Sequence, residues 1–463
     1  MDHVSRHGRV ALRLGSCVVA LGLLLGACGG GTAKKRAARP TDSAPDTTIV
    51  DAPQPTTATG RIARRAKPYD LDVRAAVHDI EQFWAGELPK MYNGTTYEPL
   101  AGGLFAYSSG SVIPQCGEQQ VPYRSLKQNA FYCPFGDFIA WDDEGLFPDL
   151  QKQFGTFTIA TVLAHEWGHA IQKRVGGSES AEGYVLEQQA DCFAGAWVKH
   201  LDVAKGMLTR RPQNLDAVMA GFIKFRDFVG VTAQDPGAHG SAFDRIRAFQ
   251  EGFEAGTAKC KTYLESPPDL VELPFRDFKE RFRGGNAPFE EVVPIATGAL
   301  TAYWKNVKDA APVKVTEGTV TGVCKNQFMV QEVADAAMAY CADTKTIIWN
   351  RAATQTLYDQ FGDFAVATVL AEHWALAIEA RGGMSVQSKA SRLEADCLTG
   401  AWAGATFRTD YDGSPTLSPG DLDESVQVFL ALKGQRDAKV NGSVFDQMDR
   451  FRTGFFGSNG DCQ

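Results

Sequence analysis

Apolar residues recur with helical spacing from Leu71 to Leu88, which predicts a helix with one face in a core. Between Ala130 and Trp141 the pattern shortens to two apolar strands joined at Pro134-Phe135-Gly136-Asp137, the signature of a hairpin. Helical spacing resumes from Phe154 to Val175 and stops at Gly176-Gly177, and a returning helix is expected from about Ser180 to Leu201. An antiparallel helix pair beside a small hairpin makes the expected class α+β and mainly helical.

The same plan then recurs. Phe154-Gly155-Thr156-Phe157-Thr158-Ile159-Ala160-Thr161-Val162-Leu163-Ala164 is answered by Phe361-Gly362-Asp363-Phe364-Ala365-Val366-Ala367-Thr368-Val369-Leu370-Ala371. Ala190-Asp191-Cys192 through Trp197 is answered by Ala395-Asp396-Cys397 through Trp402, and Phe243-Asp244 through Phe253 by Phe445-Asp446 through Phe455. A tandem duplication is therefore expected, with one copy over 69–263 and a second over 289–463. The stretch 264–288, rich in Pro, Gly and charge, reads as the linker between them.

At the start, Arg6, Arg9 and Arg13 precede an apolar run from Leu14 to Leu25 that is short for a membrane span and reads as an export signal over 1–27. It ends in Leu25-Gly26-Ala27-Cys28, which resembles the bacterial lipobox, so Cys28 is the expected lipidation site. Residues 28–68 are rich in Gly, Thr, Ala and Pro and poor in large apolar side chains; they read as a flexible tether. The expected location is the extracytoplasmic face of the cell membrane, reached through a lipid anchor.

With 463 residues, 44% of them hydrophobic, the chain is long enough for more than one core. A formal net charge of -8 leaves no basic surface for phosphate backbones, so nucleic acid is excluded as an expected partner. Setting Cys17 and Cys28 aside, eight cysteines divide four to each copy at matching positions. For an exported chain this predicts disulfides Cys116–Cys133, Cys192–Cys260, Cys324–Cys341 and Cys397–Cys462, with a thiol zinc cluster as the alternative.

The candidate chemistry lies in His165-Glu166-Trp167-Gly168-His169. Two histidines four apart share a helix face and can bind one metal ion, and the Glu between them can serve as base without being a ligand. Hydrolytic zinc needs a third protein ligand and one open position. Glu187 is the choice, because the climb from His169 to the Gly176-Gly177 turn is about the descent to Glu187. Asp191, one turn on, is placed to hold the free ring nitrogen of a ligand His. Trp167 either desolvates Glu166 or packs in the core. His239 and Tyr184, replaced by Asn441 and about Lys389 in the second copy, are the candidates for stabilising an oxyanion, or else ordinary surface and core residues. The Phe131 to Trp141 hairpin is either the edge on which an extended peptide pairs or a disulfide-braced support.

His165-Glu166-Trp167-Gly168-His169 followed by Leu186-Glu187-Gln188-Gln189-Ala190-Asp191-Cys192-Phe193-Ala194-Gly195 resembles the bacterial putative neutral zinc metallopeptidase family. Tyr132-Cys133-Pro134 and His239-Gly240-Ser241 resemble further segments of that family. The resemblance implies a zincin-like peptidase domain with His165, His169 and Glu187 as zinc ligands and Glu166 as base. The second copy departs from it: Glu372, His373 and Leu376 stand where His165, Glu166 and His169 stand, and Arg392 falls opposite Glu187. One zinc per chain is thus expected, with the second copy silent and serving as scaffold or as a surface for an envelope protein. The leading function is a membrane-anchored zinc peptidase hydrolysing exported polypeptides. The rivals are a non-enzymatic, zinc-stabilised lipoprotein that binds a protein partner and a zinc amidase acting on wall peptides.

Overall fold

The computed structural model describes residues 66–462 apart from 112–114, 118–120, 178–181, 202–207, 209–211, 236, 309, 320–336, 387 and 433–437. The export signal, Cys28 and nearly all of the tether lie outside the described residues, as does Cys324. The first half contains α1 (Asp70–Met91), β1 (Gly103–Tyr107), β2 (Ala130–Cys133), β3 (Phe138–Asp142), α2 (Leu146–Phe154), α3 (Thr156–Arg174), α4 (Gly183–His200), α5 (Pro212–Phe225) and α6 (Ala242–Ala255). The second contains α7 (Phe289–Lys308), β4 (Lys314–Glu317), β5 (Met338–Cys341), β6 (Thr346–Trp349), α8 (Arg351–Phe361), α9 (Asp363–Arg381), α10 (Lys389–Arg408), α11 (Asp421–Leu432) and α12 (Val444–Phe456). This is a mainly helical α+β arrangement.

The expected hairpin forms, with Tyr132 opposite Ile139, but it belongs to a three-stranded sheet of order β1-β3-β2. The sequence reading missed β1, which pairs parallel with β3. It corrects the expected edge: β3 is central, buried along its whole length, and β2 alone of the hairpin faces outward. The helix expected from Phe154 is also shorter. Gly155, with φ 84°, breaks it from α2, because an L side chain resists that backbone conformation. The second half repeats the sheet order and polarity as β4-β6-β5.

α3 is buried around most of its circumference, with Ile159, Leu163, Trp167 and Ile171 in the main core. That is why its pattern is almost continuously apolar rather than striped. α4 packs along it antiparallel, and the two backbones meet at Gly168, where a Cβ would stand 2.8 Å from the Ala190 Cα. Three predicted disulfides are present, Cys116–Cys133, Cys192–Cys260 and Cys397–Cys462. The halves share one hydrophobic core, knit by Phe249 and Phe253 against Phe445 and by Phe243 against Phe451 and Phe455. Among the described residues no helix is long and apolar enough to cross a membrane.

Candidate metal centre

A cleft of ≈ 1200 Å³ opens between the β2 edge, α3, α4 and α5. His165, Glu166, His169, Glu187 and His239 line it together. His165 and His169 present their Nε2 atoms 3.1 Å apart, a consequence of their four-residue spacing on α3. Glu187, from α4, brings Oε2 to 3.3 Å from His165 Nε2 and Oε1 to 3.4 Å from His169 Nε2. The close helix contact at Gly168 sits between the two histidines' turn and the α4 segment that carries Glu187 and Asp191.

The other side of each imidazole is held. His165 Nδ1 lies 2.7 Å from Asp191 Oδ1, and Asp191 also accepts from Arg245 Nε at 2.8 Å and Nη2 at 3.0 Å. His169 Nδ1 lies 2.9 Å from Gln172 Oε1, while Gln172 donates to the Leu186 carbonyl at 2.7 Å. Carboxylate and amide oxygens on Nδ1 require the proton there, which leaves the Nε2 lone pairs of the neutral rings converging with a carboxylate. Buried lone pairs do not gather in this way without something electrophilic between them. The three donor atoms lie within 4.8 Å of one another, and Glu187 Oε2 has no hydrogen-bond partner. Two imidazoles and a carboxylate fit zinc with a vertex left for water.

Without a metal, a proton takes the electrophile's place. Burial disfavours charge on His165, but Asp191 and Glu187 outweigh it and push the ring up to about 10. Burial likewise opposes the carboxylate of Glu187, yet His169, His239 and His165 hold it well below its ordinary range. Asp191 is lowered despite burial by Arg245 and His165.

Glu166 points into the same cleft but is not among the three converging groups. It is 6% exposed, burial raises its pKa against the pull of His165 and His169, and the Tyr132 backbone N–H on β2 donates to it. A carboxylate so placed is a poised base rather than a fixed anion. Trp167, on the core side of α3, donates to Tyr97 Oη at 2.9 Å; it packs and does not line the cleft.

His239 stands on the far wall. Its backbone N–H and that of Gly240 both donate to Asp227 Oδ2 at 2.6 Å, and its Nδ1 lies 3.4 Å from Asp227 Oδ1. Glu187 raises its pKa, with burial opposing and Asp227 assisting. Tyr184 is not brought to this cleft: it lines a separate cavity of ≈ 70 Å³ beside Ser241 and Asp244, and burial raises its pKa. The sequence reading missed Gln172, Arg245 and Asp227. Gln172 was within reach, being one turn beyond His169 on the same helix. The other two come from distant segments with no spacing rule to mark them.

In the second half, His373 is 2% exposed and its Nδ1 lies 2.8 Å from the Val369 carbonyl of its own helix. Glu372 and Arg392 are buried on α9 and α10. Among the described residues, no cluster of metal-ligating side chains occupies the place equivalent to the first half's site.

The family model for "Putative neutral zinc metallopeptidase" matches residues 40–263. An uncharacterized protein of Mycobacterium tuberculosis is 31% identical over 182 residues, 34% of this chain and 60% of that protein. An uncharacterized protein of Mycobacterium bovis matches to the same extent. The uncharacterized Escherichia coli protein YpfJ is 30% identical over 208 residues, 40% of this chain and 68% of its own length. The chain thus spans less than two thirds of the mycobacterial relatives it matches. No solved structure matches it. With the matched stretch enclosing His165, Glu166, His169 and Glu187, the chain belongs to the putative neutral zinc metallopeptidase family.

Proposed function

We propose that this protein is a zinc-dependent peptidase, anchored to the cell membrane through lipidated Cys28, that hydrolyses peptide bonds of exported polypeptides with one zinc per chain. The observation that carries the reading is the convergence of His165, His169 and Glu187 within 4.8 Å beside a buried Glu166 in an open cleft. A bound zinc supplies Lewis acidity for the scissile carbonyl and lowers the pKa of water.

The chain's own residues do the rest. Asp191 and Gln172 hold the imidazole rings in the tautomer that offers Nε2 to the metal. Glu166 takes the proton of the attacking water and passes it to the leaving amine; the cost of burying its charge raises its proton affinity. His239, across the cleft, stabilises the negative oxygen that develops on the carbonyl, a role supported by its place on the wall. The outer edge of β2, at the end of the sheet, suits an extended peptide, which would run past Glu166 through the Tyr132 segment.

The second half is read as a duplicated, silent copy. The matched sequence segments, the repeated sheet order and the equivalent disulfides support that origin. A non-enzymatic binding role gains nothing from a water-activating Glu166. The test is to measure zinc per chain and cleavage of unfolded protein for the wild type, Glu166→Gln and His165→Ala. Unchanged cleavage in Glu166→Gln would end the peptidase reading.

A further inference from the structure

The wall that carries His239 is tied down from the other half of the molecule. Asp423, in the first turn of α11, is 5% exposed. Its Oδ1 accepts the backbone N–H of Phe243 at 3.0 Å, and its Oδ2 lies 3.4 Å from Arg226 Nε. These two partners bracket the His239 loop. Arg226 immediately precedes Asp227, which accepts from the backbone of His239 and Gly240 and donates its own N–H to the Gly240 carbonyl. Phe243 lies in the first turn of α6, next to the Ser241 cap that accepts from the Asp244 N–H. One buried carboxylate therefore holds both strands of the loop at their base.

The opposite contact also exists. Asp216 Oδ1, on α5, accepts the backbone N–H of Phe445 at 3.0 Å, at the start of α12. The segment just before it carries Asn441 in place of His239, and among the described residues no site equivalent to the first half's metal centre lies there. The two bonds are alike in chemistry and burial, and only one of them leads to the cleft.

We propose that Asp423 is a positioning residue for the first half's site, so that the second half, silent itself, completes the cleft by fixing His239 through Arg226, Asp227 and Phe243. The kinetic consequence rests on the peptidase reading above; the structural clamp does not.

The experiment compares Asp423→Ala, Asp423→Asn and Asp216→Ala in the full chain, by amide hydrogen exchange, zinc content and steady-state cleavage. In Asp423→Ala, exchange over residues 239–243 should rise about tenfold or more while zinc per chain stays at the wild-type value. Its kcat should fall about tenfold or more with little change in KM, because a displaced His239 weakens transition-state contacts rather than substrate binding. Asp423→Asn, which keeps an oxygen for the Phe243 N–H, should recover part of both effects. Asp216→Ala should loosen residues 443–447 and leave kcat at the wild-type value. Equal exchange over 239–243 in Asp423→Ala and Asp216→Ala would overturn the clamp, as would equal kcat in an active enzyme. If Asp423→Ala does not fold, Asp423→Asn carries the same comparison. A wild type that binds zinc but cleaves nothing defeats the peptidase reading, and the exchange comparison then decides the clamp alone.

Discussion

Asp191 Oδ1 lies 2.7 Å from His165 Nδ1, and the same carboxylate takes two hydrogen bonds from Arg245. The metal-facing ring is thus oriented by an anion that is itself fixed from α6. In Asp191→Asn, an amide replaces the anion and leaves the buried Arg245 charge without its partner. Zinc affinity should fall about 10–100-fold, measured by competition with a chelator of known affinity. Wild-type affinity in this variant would mean that the ring is oriented by packing alone.

Glu166→Gln should separate metal binding from chemistry. The amide preserves the shape of the side chain but cannot accept the water's proton. Zinc content should match the wild type, while cleavage falls by about 10²–10⁴-fold. Loss of zinc together with activity would instead place Glu166 among the groups that hold the metal.

The close approach of α3 and α4 makes a second kind of prediction. A methyl group at position 168 would meet the Ala190 Cα at 2.8 Å and its Cβ at 3.0 Å, both on a helix that cannot yield locally. Gly168→Ala should destabilise the fold by about 1–3 kcal/mol and weaken zinc binding, because the helix that moves carries Glu187. Denaturant unfolding of the zinc-loaded and metal-stripped protein would measure both. An unchanged midpoint would show that the helix pair accommodates the methyl without cost.

The metal-stripped protein should lose stability as the pH rises. His165 is buried, which disfavours its charge, but Asp191 and Glu187 push it up to about 10, against about 6.5 for an unfolded histidine. A folded-state pKa above the unfolded one contributes stability that is complete below about pH 6.5 and disappears as the pH climbs through about 10. Glu187 and Asp191 act in the opposite direction: their lowered values contribute stability at neutral pH that is lost on acidification. Thermal unfolding across pH 6 to 10 should show a decline in the stripped wild type that is smaller in His165→Ala, where the raised His169 and His239 remain, and reduced by zinc. Parallel curves for the two stripped proteins would refute the proton's structural role.

Zinc titration should saturate at one equivalent. His373, whose ring nitrogen faces a carbonyl of its own helix, takes no part in it. His373→Ala should therefore leave the stoichiometry unchanged, and His165→Ala should remove the bound zinc. A second equivalent sensitive to His373 would restore a metal role to the second half.

Much of this molecule was legible in local pattern. The spacing of His165 and His169 places both rings on one helix face, and the Gly176-Gly177 turn puts Glu187 and Asp191 level with them on the returning helix. Matched cysteines predicted the three bridges seen among the described residues. Such features depend on 3.6-residue periodicity, on turn chemistry and on repetition, all of which are written within a few residues or in direct comparison of two segments.

Other features depended on which surfaces meet. β1 joins β3 only through a parallel pairing across more than thirty residues, and its five residues carry no mark of that partner. Tyr184 and His239 looked equivalent as candidates, yet packing turned one toward Ser241 and Asp244 and the other into the cleft. Arg245, Asp227 and Asp423 acquire their roles from contacts with segments far away in the chain. A buried charge must find its counter-charge or donor wherever the packed helices bring one, and that meeting is a property of the assembled core rather than of any stretch of sequence.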